Sequence, residues 1–285
     1  MARWGALVAV ALVVPLSARH GTSAPASCPP APGLHRSARA YRVAHVVVPL
    51  CDNEHQGIVP VSKALGDGKD LDRNLYWGAG YGFRTFFRTS PAWRELDVST
   101  APSSKAVLQR VAFARGDAYV VADAYDGARM DAALDDFIRY AAGARAEDVE
   151  VAPRAKKGEP PAPRVPVEAG GRADAVAFVG HDGLMDDLAP VVPSTTGDRP
   201  AGAIVVACFS RSWFSPLLKK ANVTLWVGTT NLLSAESYSV EAALRAWVDG
   251  GAPEAMRVAA GKAYAKYQNI SEGSGLGLFA TGTKP

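Results

Sequence analysis

Runs of apolar residues alternate with helix-like patterns along most of the chain. Five runs have the continuous apolar character of strands that are covered on both faces of a sheet. They are AHVVVPL (44–50), AYVVADAYDG (118–127), ADAVAFVGHDG (173–183), AGAIVVACFSRS (201–212) and VTLWVGTT (223–230). Four other segments place apolar residues at helical spacing, namely 72–89, 129–143, 235–251 and 253–267.

This alternation is typical of an α/β protein in which a mostly parallel sheet lies between two helical layers. We therefore predict a three-layer α/β sandwich, formed by a single domain over residues 40–270. Residues 150–172 hold five prolines and show no apolar face, so they are predicted to be a loop insertion. Residues 271–285 are predicted to be a flexible tail.

The first 18 residues have the pattern of a secretory signal peptide. Arg3 precedes an apolar stretch over 6–16, and small residues follow it. That stretch is shorter than the roughly 20 residues that span a bilayer, so we expect no stable membrane insertion once the signal is removed. Residues 19–39 are predicted to be a flexible leader, and Pro25 argues against lipid attachment at Cys28. The mature protein is expected in the periplasm or outside the cell.

Composition narrows the possible partners. The chain has 285 residues, of which 48% are apolar and 21% are charged, as in a globular protein. Its formal net charge of +3 is spread along the sequence and forms no basic stripe. This pattern argues against a nucleic-acid partner.

Reactive side chains follow several of the predicted strands, at the edge where α/β sheets bind ligands. They are Cys51, Asp52, Asp123, Asp126, His181, Asp182, Cys208, Thr229 and Thr230. Each alone also has a structural interpretation as a turn residue, a helix cap or a core residue. His181 and Cys208 are more informative together, because they end two consecutive strands and such strands usually lie side by side. A nearby imidazole can activate a thiol for attack on a carbonyl.

The segments AVAFVGHDG and AIVVAC resemble the caspase, gingipain and legumain superfamily of cysteine peptidases, in which one apolar strand ends in His-Gly and the next in Ala-Cys. The resemblance extends over residues 41–250 as an order of strands and helices. It implies a caspase-like fold, His181 as acid or base, Cys208 as nucleophile, and the amides of Gly183 and Cys208 as oxyanion donors. It implies no cofactor and no metal. Asp182 departs from the family pattern, since it separates the histidine from its glycine.

The same resemblance bears on a possible disulfide. It places the first strand beside the histidine strand and the cysteine strand one position further out. Two strand spacings amount to roughly 9–10 Å, beyond the Cα separation of about 7 Å that a disulfide tolerates. Cys51 and Cys208 are therefore predicted to stay unbridged.

Three carboxylates suggest a substrate preference for a peptidase. Asp52, Asp123 and Asp182 are expected to line one cleft with negative charge. Such a cleft favours a peptide or protein substrate with lysine or arginine at the cleavage site.

Two other functions use the same strand ends. Asp52, Asp123, His181 and Asp182 could surround a divalent metal in a hydrolase, although no metal-binding spacing supports this. A third possibility is a catalytically inactive module that binds a peptide or a cell-envelope ligand. Sensitivity to a chelator would indicate the metal enzyme, and resistance of Cys208 to alkylation would indicate the binding module.

Overall fold

A computed structural model describes residues 39–155, 158, 160, 162–194 and 201–282. The predicted signal peptide over 1–18, nearly all of the leader over 19–39, and Cys28 lie outside the described residues, as do 283–285. Export thus stays a prediction. Within the described ranges, no helix has both the length and the apolar character to cross a membrane.

Ten strands form one mixed sheet in the order β10-β9-β8-β7-β1-β4-β3-β2-β5-β6. The strands are β1 (Arg42–Pro49), β2 (Arg94–Val98), β3 (Val107–Arg115), β4 (Ala118–Tyr125), β5 (Ala146–Pro153), β6 (Val165–Gly170), β7 (Ala175–Val179), β8 (Gly202–Val206), β9 (Leu225–Thr229) and β10 (Phe279–Ala280). The central strands β9, β8, β7, β1 and β4 are parallel to one another, whereas every other pairing is antiparallel. The expectation of a mostly parallel sheet therefore holds only for this centre.

Helices cover both faces of the sheet. They are α1 (Phe83–Thr89), α2 (Met130–Ala141), α3 (Ser210–Lys220), α4 (Ser237–Val248), α5 (Pro253–Gln268) and α6 (Glu272–Gly277). Alternate residues of a strand point to opposite faces. Val43 and Val47 accordingly pack in the core beneath α2 and α3, while Val46 packs in the core beneath α1, α4 and α5. The protein is thus a three-layer α/β sandwich.

The strand order near the predicted site is the one that the resemblance implied. β1 lies beside β7, and β8 lies one position further out. Cys51 and Cys208 are both free. Because the five central strands are parallel, the loops that follow β1, β7, β8 and β9 meet at one edge of the sheet.

The helix predicted over 72–89 is wrong for most of its length, since only Phe83–Thr89 is helical. Glycines in the preceding segment explain the difference. A Cβ at Gly78 would overlap the backbone of Asp72, and one at Gly82 would overlap the backbone of Trp77. The chain therefore makes tight turns here that only glycine permits, and the helix begins after them.

The loop insertion predicted over 150–172 is wrong at both of its ends. Its two ends belong to β5 and β6, which pair antiparallel. Val149 and Val151 are buried on β5, as are Val167 and Ala169 on β6, whereas the residues between them are more exposed. This alternation with period two is the pattern of a half-buried strand, and the prolines obscured it.

The tail predicted over 271–285 is ordered where the structure describes it. Residues 272–277 form α6, and β10 pairs antiparallel with β9 through Phe279 and Thr229. Gly275 lies directly against Gly261 and Ala265 of α5. The small residues thus allow α5 and α6 to pack closely. Composition alone had suggested a flexible end for this segment.

Candidate functional site

A cleft of about 690 Å³ opens at the edge of the sheet where the parallel strands end. His181 and Cys208 both line it. Most of the other lining residues are apolar and come from the loops after β1, β7 and β9. They are Ile58, Val59, Val61, Leu75, Met185, Leu232, Leu233 and Ala235, together with Tyr76 and Tyr264.

The strand register brings His181 and Cys208 to equivalent places. Val179 of β7 is the partner of Val206 of β8, and each reactive residue lies two positions further along its own chain segment. The Gly180 amide still donates to the Val206 carbonyl at 3.2 Å, so the strands stay paired to the residue before the histidine. His181 and Cys208 therefore lie at the same edge of the sheet and line one cleft.

His181 forms a short hydrogen bond to Asp186, with 2.7 Å between Nε2 and Oδ2. A carboxylate can only accept, so Nε2 carries the proton and Nδ1 of the neutral ring is left as the basic nitrogen. The Gly57 amide also donates to Asp186 Oδ2, at 3.0 Å. Asp186 thus holds the imidazole in one tautomer.

Asp186 was not predicted as a site residue from the sequence. It lies five residues beyond His181 in a single turn of 3₁₀ helix over Gly183–Asp186. The segment HDGLMD contains two acidic residues, and nothing in its spacing tells which one returns to the histidine.

Cys208 is half-buried, and its Sγ donates a weak hydrogen bond to the Leu233 carbonyl, with 3.6 Å between the two atoms. Burial raises the pKa of the thiol, and the charge of Asp182 raises it further. The resting sulfur is therefore a protonated thiol. A nucleophilic role would require a base to remove its proton during attack.

The turn after Cys208 is tightly held. Phe209 adopts the left-handed region with a φ of 47°, and α3 begins at the next residue. The Ser210 amide donates to Thr229 Oγ1 at 3.0 Å, and that hydroxyl in turn donates to the Ala207 carbonyl. These buried bonds tie the end of β8 to the end of β9 and fix the position of the cysteine.

Asp182 is buried beside the cleft but does not line it. Its Oδ1 accepts from the Leu184 amide at 3.0 Å, whereas Oδ2 has no hydrogen-bond partner among the described residues. Burial raises the pKa of this carboxyl to about 7, and the neighbouring charge of Asp186 contributes. Asp182 is thus partly neutral near pH 7.

Asp52 and Asp123 do not lie where the sequence analysis placed them, since neither lines the cleft. Asp52 closes the turn after β1, where its carboxylate accepts from the Glu54 amide at 2.8 Å and contacts His55 Nδ1 at 2.9 Å. Asp123 lies inside β4, because the strand continues to Tyr125. Arg110 holds both oxygens of the fully buried Asp123. The predicted acidic lining of Asp52, Asp123 and Asp182 is therefore not formed.

The two predicted oxyanion donors differ. Gly183 lies against Met130 of α2, where a Cβ would overlap the methionine side chain, and it does not line the cleft. The amide of Cys208 donates no hydrogen bond to another residue within the described part of the chain. The Cys208 amide is thus the one of the two that stays a candidate.

Glu236 lines the cleft and was not predicted from the sequence either. It precedes α4, and its Oε2 accepts from the Tyr238 hydroxyl at 3.2 Å and from Gln268 Nε2 at 3.4 Å. Burial raises the pKa of this carboxyl. The sequence offered no signal, because the loop from β9 to α4 carries no motif that links it to the cleft.

The metal site considered from sequence is not assembled. In residues 39–282, apart from the gaps given above, no group of three or more histidines, cysteines and carboxylates is placed to hold a metal ion. Asp123 is engaged by Arg110 inside the sheet, while Asp52 is engaged by His55 in a turn.

No protein-family model, curated protein or solved structure matches the chain. The resemblance to the caspase, gingipain and legumain superfamily consequently rests on the residues around His181 and Cys208.

Proposed function

We propose that the protein is a caspase-like cysteine hydrolase that cleaves peptide bonds, with Cys208 as nucleophile and His181 as general base. One observation carries the proposal. The two side chains stand at equivalent positions beyond neighbouring parallel strands, and they line the same cleft. Ligands of open α/β sheets bind at this edge.

The protonation states support a base-assisted attack. The Cys208 sulfur attacks the substrate carbonyl carbon while its proton passes to Nδ1 of His181. The proton then moves from His181 to the departing amine as the carbon–nitrogen bond breaks, which leaves a thioester on Cys208. Water attacks the thioester, His181 takes a proton from it and returns that proton to the sulfur, and the carboxylic acid is released.

Asp186 is a positioning residue in this scheme. Its hydrogen bond to Nε2 keeps Nδ1 free of a proton in the resting enzyme. When His181 becomes an imidazolium, the adjacent carboxylate stabilises the new positive charge.

The test is hydrolysis of a fluorogenic peptide mixture by the full chain and by Cys208→Ala and His181→Ala. Both variants should lose at least about a hundred-fold in kcat/KM, as is usual when a nucleophile or its base is removed. Cys51→Ala is the matched control, since Cys51 is the other free cysteine of the described chain, is fully buried and does not line the cleft. It should keep its activity. Full activity in Cys208→Ala would reject the proposal.

A peptide-binding module is the second candidate, and the burial of Cys208 favours it. Burial raises the pKa of the thiol, so it makes the sulfur a poorer nucleophile at neutral pH. Peptides that bind the cleft without any turnover, and without dependence on Cys208, would identify this function. A chelator that abolished hydrolysis would instead point to the metal-dependent hydrolase.

A further inference from the structure

Glu236 is the single carboxylate among the described residues that line the cleft, and neither lysine nor arginine lines it. The remaining walls are mostly apolar. A lysine side chain has the complementary chemistry, because its methylene stem packs on apolar surface while its ammonium needs an anionic partner.

The Glu236 carboxylate is held by residues of two helices. The Tyr238 hydroxyl of α4 and Gln268 of α5 both reach its Oε2. Gln268 also donates to the Tyr238 hydroxyl at 2.7 Å, and the ring of Tyr238 stacks on Tyr267 with 4.8 Å between ring centroids. The carboxylate is therefore fixed before any ligand arrives, which reduces the entropy that binding must overcome.

The second oxygen of the Glu236 carboxylate is available to bind a ligand. Oε1 of Glu236 makes no hydrogen bond to any described residue, in contrast to the doubly bonded Oε2. Because burial raises the pKa of this carboxyl, an incoming cation would restore the charged form that burial disfavours.

From this arrangement we infer that Glu236 receives a lysine side chain of the substrate. The inference rests on the hydrolase proposed above, and it replaces the predicted acidic lining with one residue of a different loop. Glu236 Oε1 binds the ammonium, and the apolar cleft wall packs on the stem.

The same geometry favours lysine over arginine. A guanidinium gains its advantage from a bidentate pair with both carboxylate oxygens. Here Oε2 already accepts from two side chains, so only one oxygen is free. The ammonium group of lysine can pair with this one free oxygen.

Exposed apolar side chains at the rim of the cleft indicate which substrate residues flank the lysine. Three residues from three different loops are unusually exposed for apolar side chains, with exposed fractions of 88% for Val59, 62% for Leu232 and 38% for Met185. All three line this cleft. A substrate with leucine or valine on either side of the lysine would cover them.

The test compares three fluorogenic peptides with leucine flanks that differ only in a central lysine, arginine or norleucine. Norleucine has the same stem as lysine without its charge. We expect kcat/KM for lysine to exceed that for norleucine at least about ten-fold, with arginine at or below lysine. In Glu236→Gln the ratio of lysine to norleucine should fall towards one.

Glu54→Gln is the matched control, because it removes the same charge from the exposed loop after β1 and does not line the cleft. It should retain the preference. Equal rates for lysine and norleucine in the unaltered enzyme, or a lysine preference that survives Glu236→Gln, would overturn the inference.

A second measurement separates this inference from the proposed hydrolysis. If no peptide is cleaved, the hydrolase proposal fails, and the same labelled peptides are then titrated onto Cys208→Ala by fluorescence anisotropy. Tighter binding of the lysine peptide, lost in the double variant with Glu236→Gln, would retain the subsite in a binding module. Equal binding of lysine and norleucine, or no binding of either, would reject it.

Discussion

Two histidine–carboxylate pairs in this molecule have nearly the same geometry but opposite surroundings. His45 Nε2 lies 3.0 Å from Asp123, and His181 Nε2 lies 2.7 Å from Asp186. The His45 pair is fully buried within the sheet, whereas the His181 pair lies at its edge and faces a cleft.

The buried pair has a partner at every position. The Gly170 amide donates to His45 Nδ1 at 2.9 Å, so the ring is neutral with its proton on Nε2. Arg110 donates hydrogen bonds to Asp123 at 2.6 and 2.7 Å and to Glu147 at 3.2 Å. Such a saturated network holds β1, β3, β4 and β5 together and leaves no group free for chemistry.

The His181 pair leaves one ring nitrogen without a partner among the described residues, and a thiol lines the same cleft. The difference shows that a short histidine–carboxylate contact is not by itself a sign of catalysis. What distinguishes the two pairs is the second ring nitrogen, which is consumed by Gly170 in one and left open in the other.

The largest expected effect is on the buried pair. Asp123→Asn should lower the free energy of unfolding by about 3–5 kcal/mol, because it removes the carboxylate that accepts two hydrogen bonds from the buried Arg110 guanidinium and leaves only the longer contact with Glu147. Asp186→Asn should cost less than about 1 kcal/mol, since a hydrogen bond from a neutral imidazole to a partly exposed carboxylate contributes little. Urea unfolding measures both. Similar losses in the two variants would remove the contrast between a structural and a functional pair.

The activity should show the reverse order. Asp186→Asn should lower kcat at least about ten-fold with little change in KM, because the amide no longer sets the tautomer of His181. Asp187→Asn is a close control, since Asp187 is exposed and its left-handed backbone, with a φ of 60°, suits asparagine. Equal activity of the two variants would show that Asp186 does not act through the histidine.

The contributions of Asp123 and Asp182 to the free energy of unfolding should depend on pH in opposite directions. Burial raises the pKa of Asp123, but the hydrogen bonds from Arg110 and His45 and the charge of Arg110 outweigh it and hold the pKa below its ordinary value. The stabilisation from Asp123 is therefore present above about pH 4 and is lost as the pH falls further.

Asp182 behaves in the opposite sense, because burial raises its pKa to about 7. The unfolded chain releases this proton near pH 4, roughly the ordinary aspartate value, so stability should decline as the pH rises from there towards 7. Asp182→Asn should remove that decline in urea titrations at pH 5 and pH 7. An unchanged difference between the two pH values would contradict the burial of this carboxyl.

The smallest effect is expected at Asp52. Asp52→Asn should cost about 1 kcal/mol, the scale of a hydrogen bond in a turn, and should leave the preference for lysine over norleucine unchanged. Denaturation and the paired peptides measure these quantities. Loss of the lysine preference would show that Asp52 contributes charge to the cleft after all.

The sequence predicted the centre of the fold better than its margins. Strands such as β7 and β8 are apolar on both faces, so their residue pattern alone identifies them. β2, β5 and β6 place exposed or half-buried residues beside buried ones on the antiparallel side of the sheet, where such short mixed patterns are easily lost among prolines and charges.

The candidate site was also predictable only in part. His181 and Cys208 follow from where their strands end, whereas Asp123 was misplaced because β4 continues two residues beyond it. Asp186 reaches His181, and Glu236 reaches the cleft, on loops whose sequences carry no sign of it. The path of such loops depends on tertiary packing, which no local pattern encodes.

The most direct test of the central claim is the rate at which Cys208 reacts with a peptide-based electrophile at pH 7. Mass spectrometry of the digested protein measures that rate. Cys51 serves as an internal control in the same sample, because burial raises its pKa to about 12. We expect Cys208 to be modified much faster than Cys51, and His181→Ala to slow that modification at least about ten-fold. Modification of Cys208 at the same rate with and without the imidazole would contradict the proposed partnership.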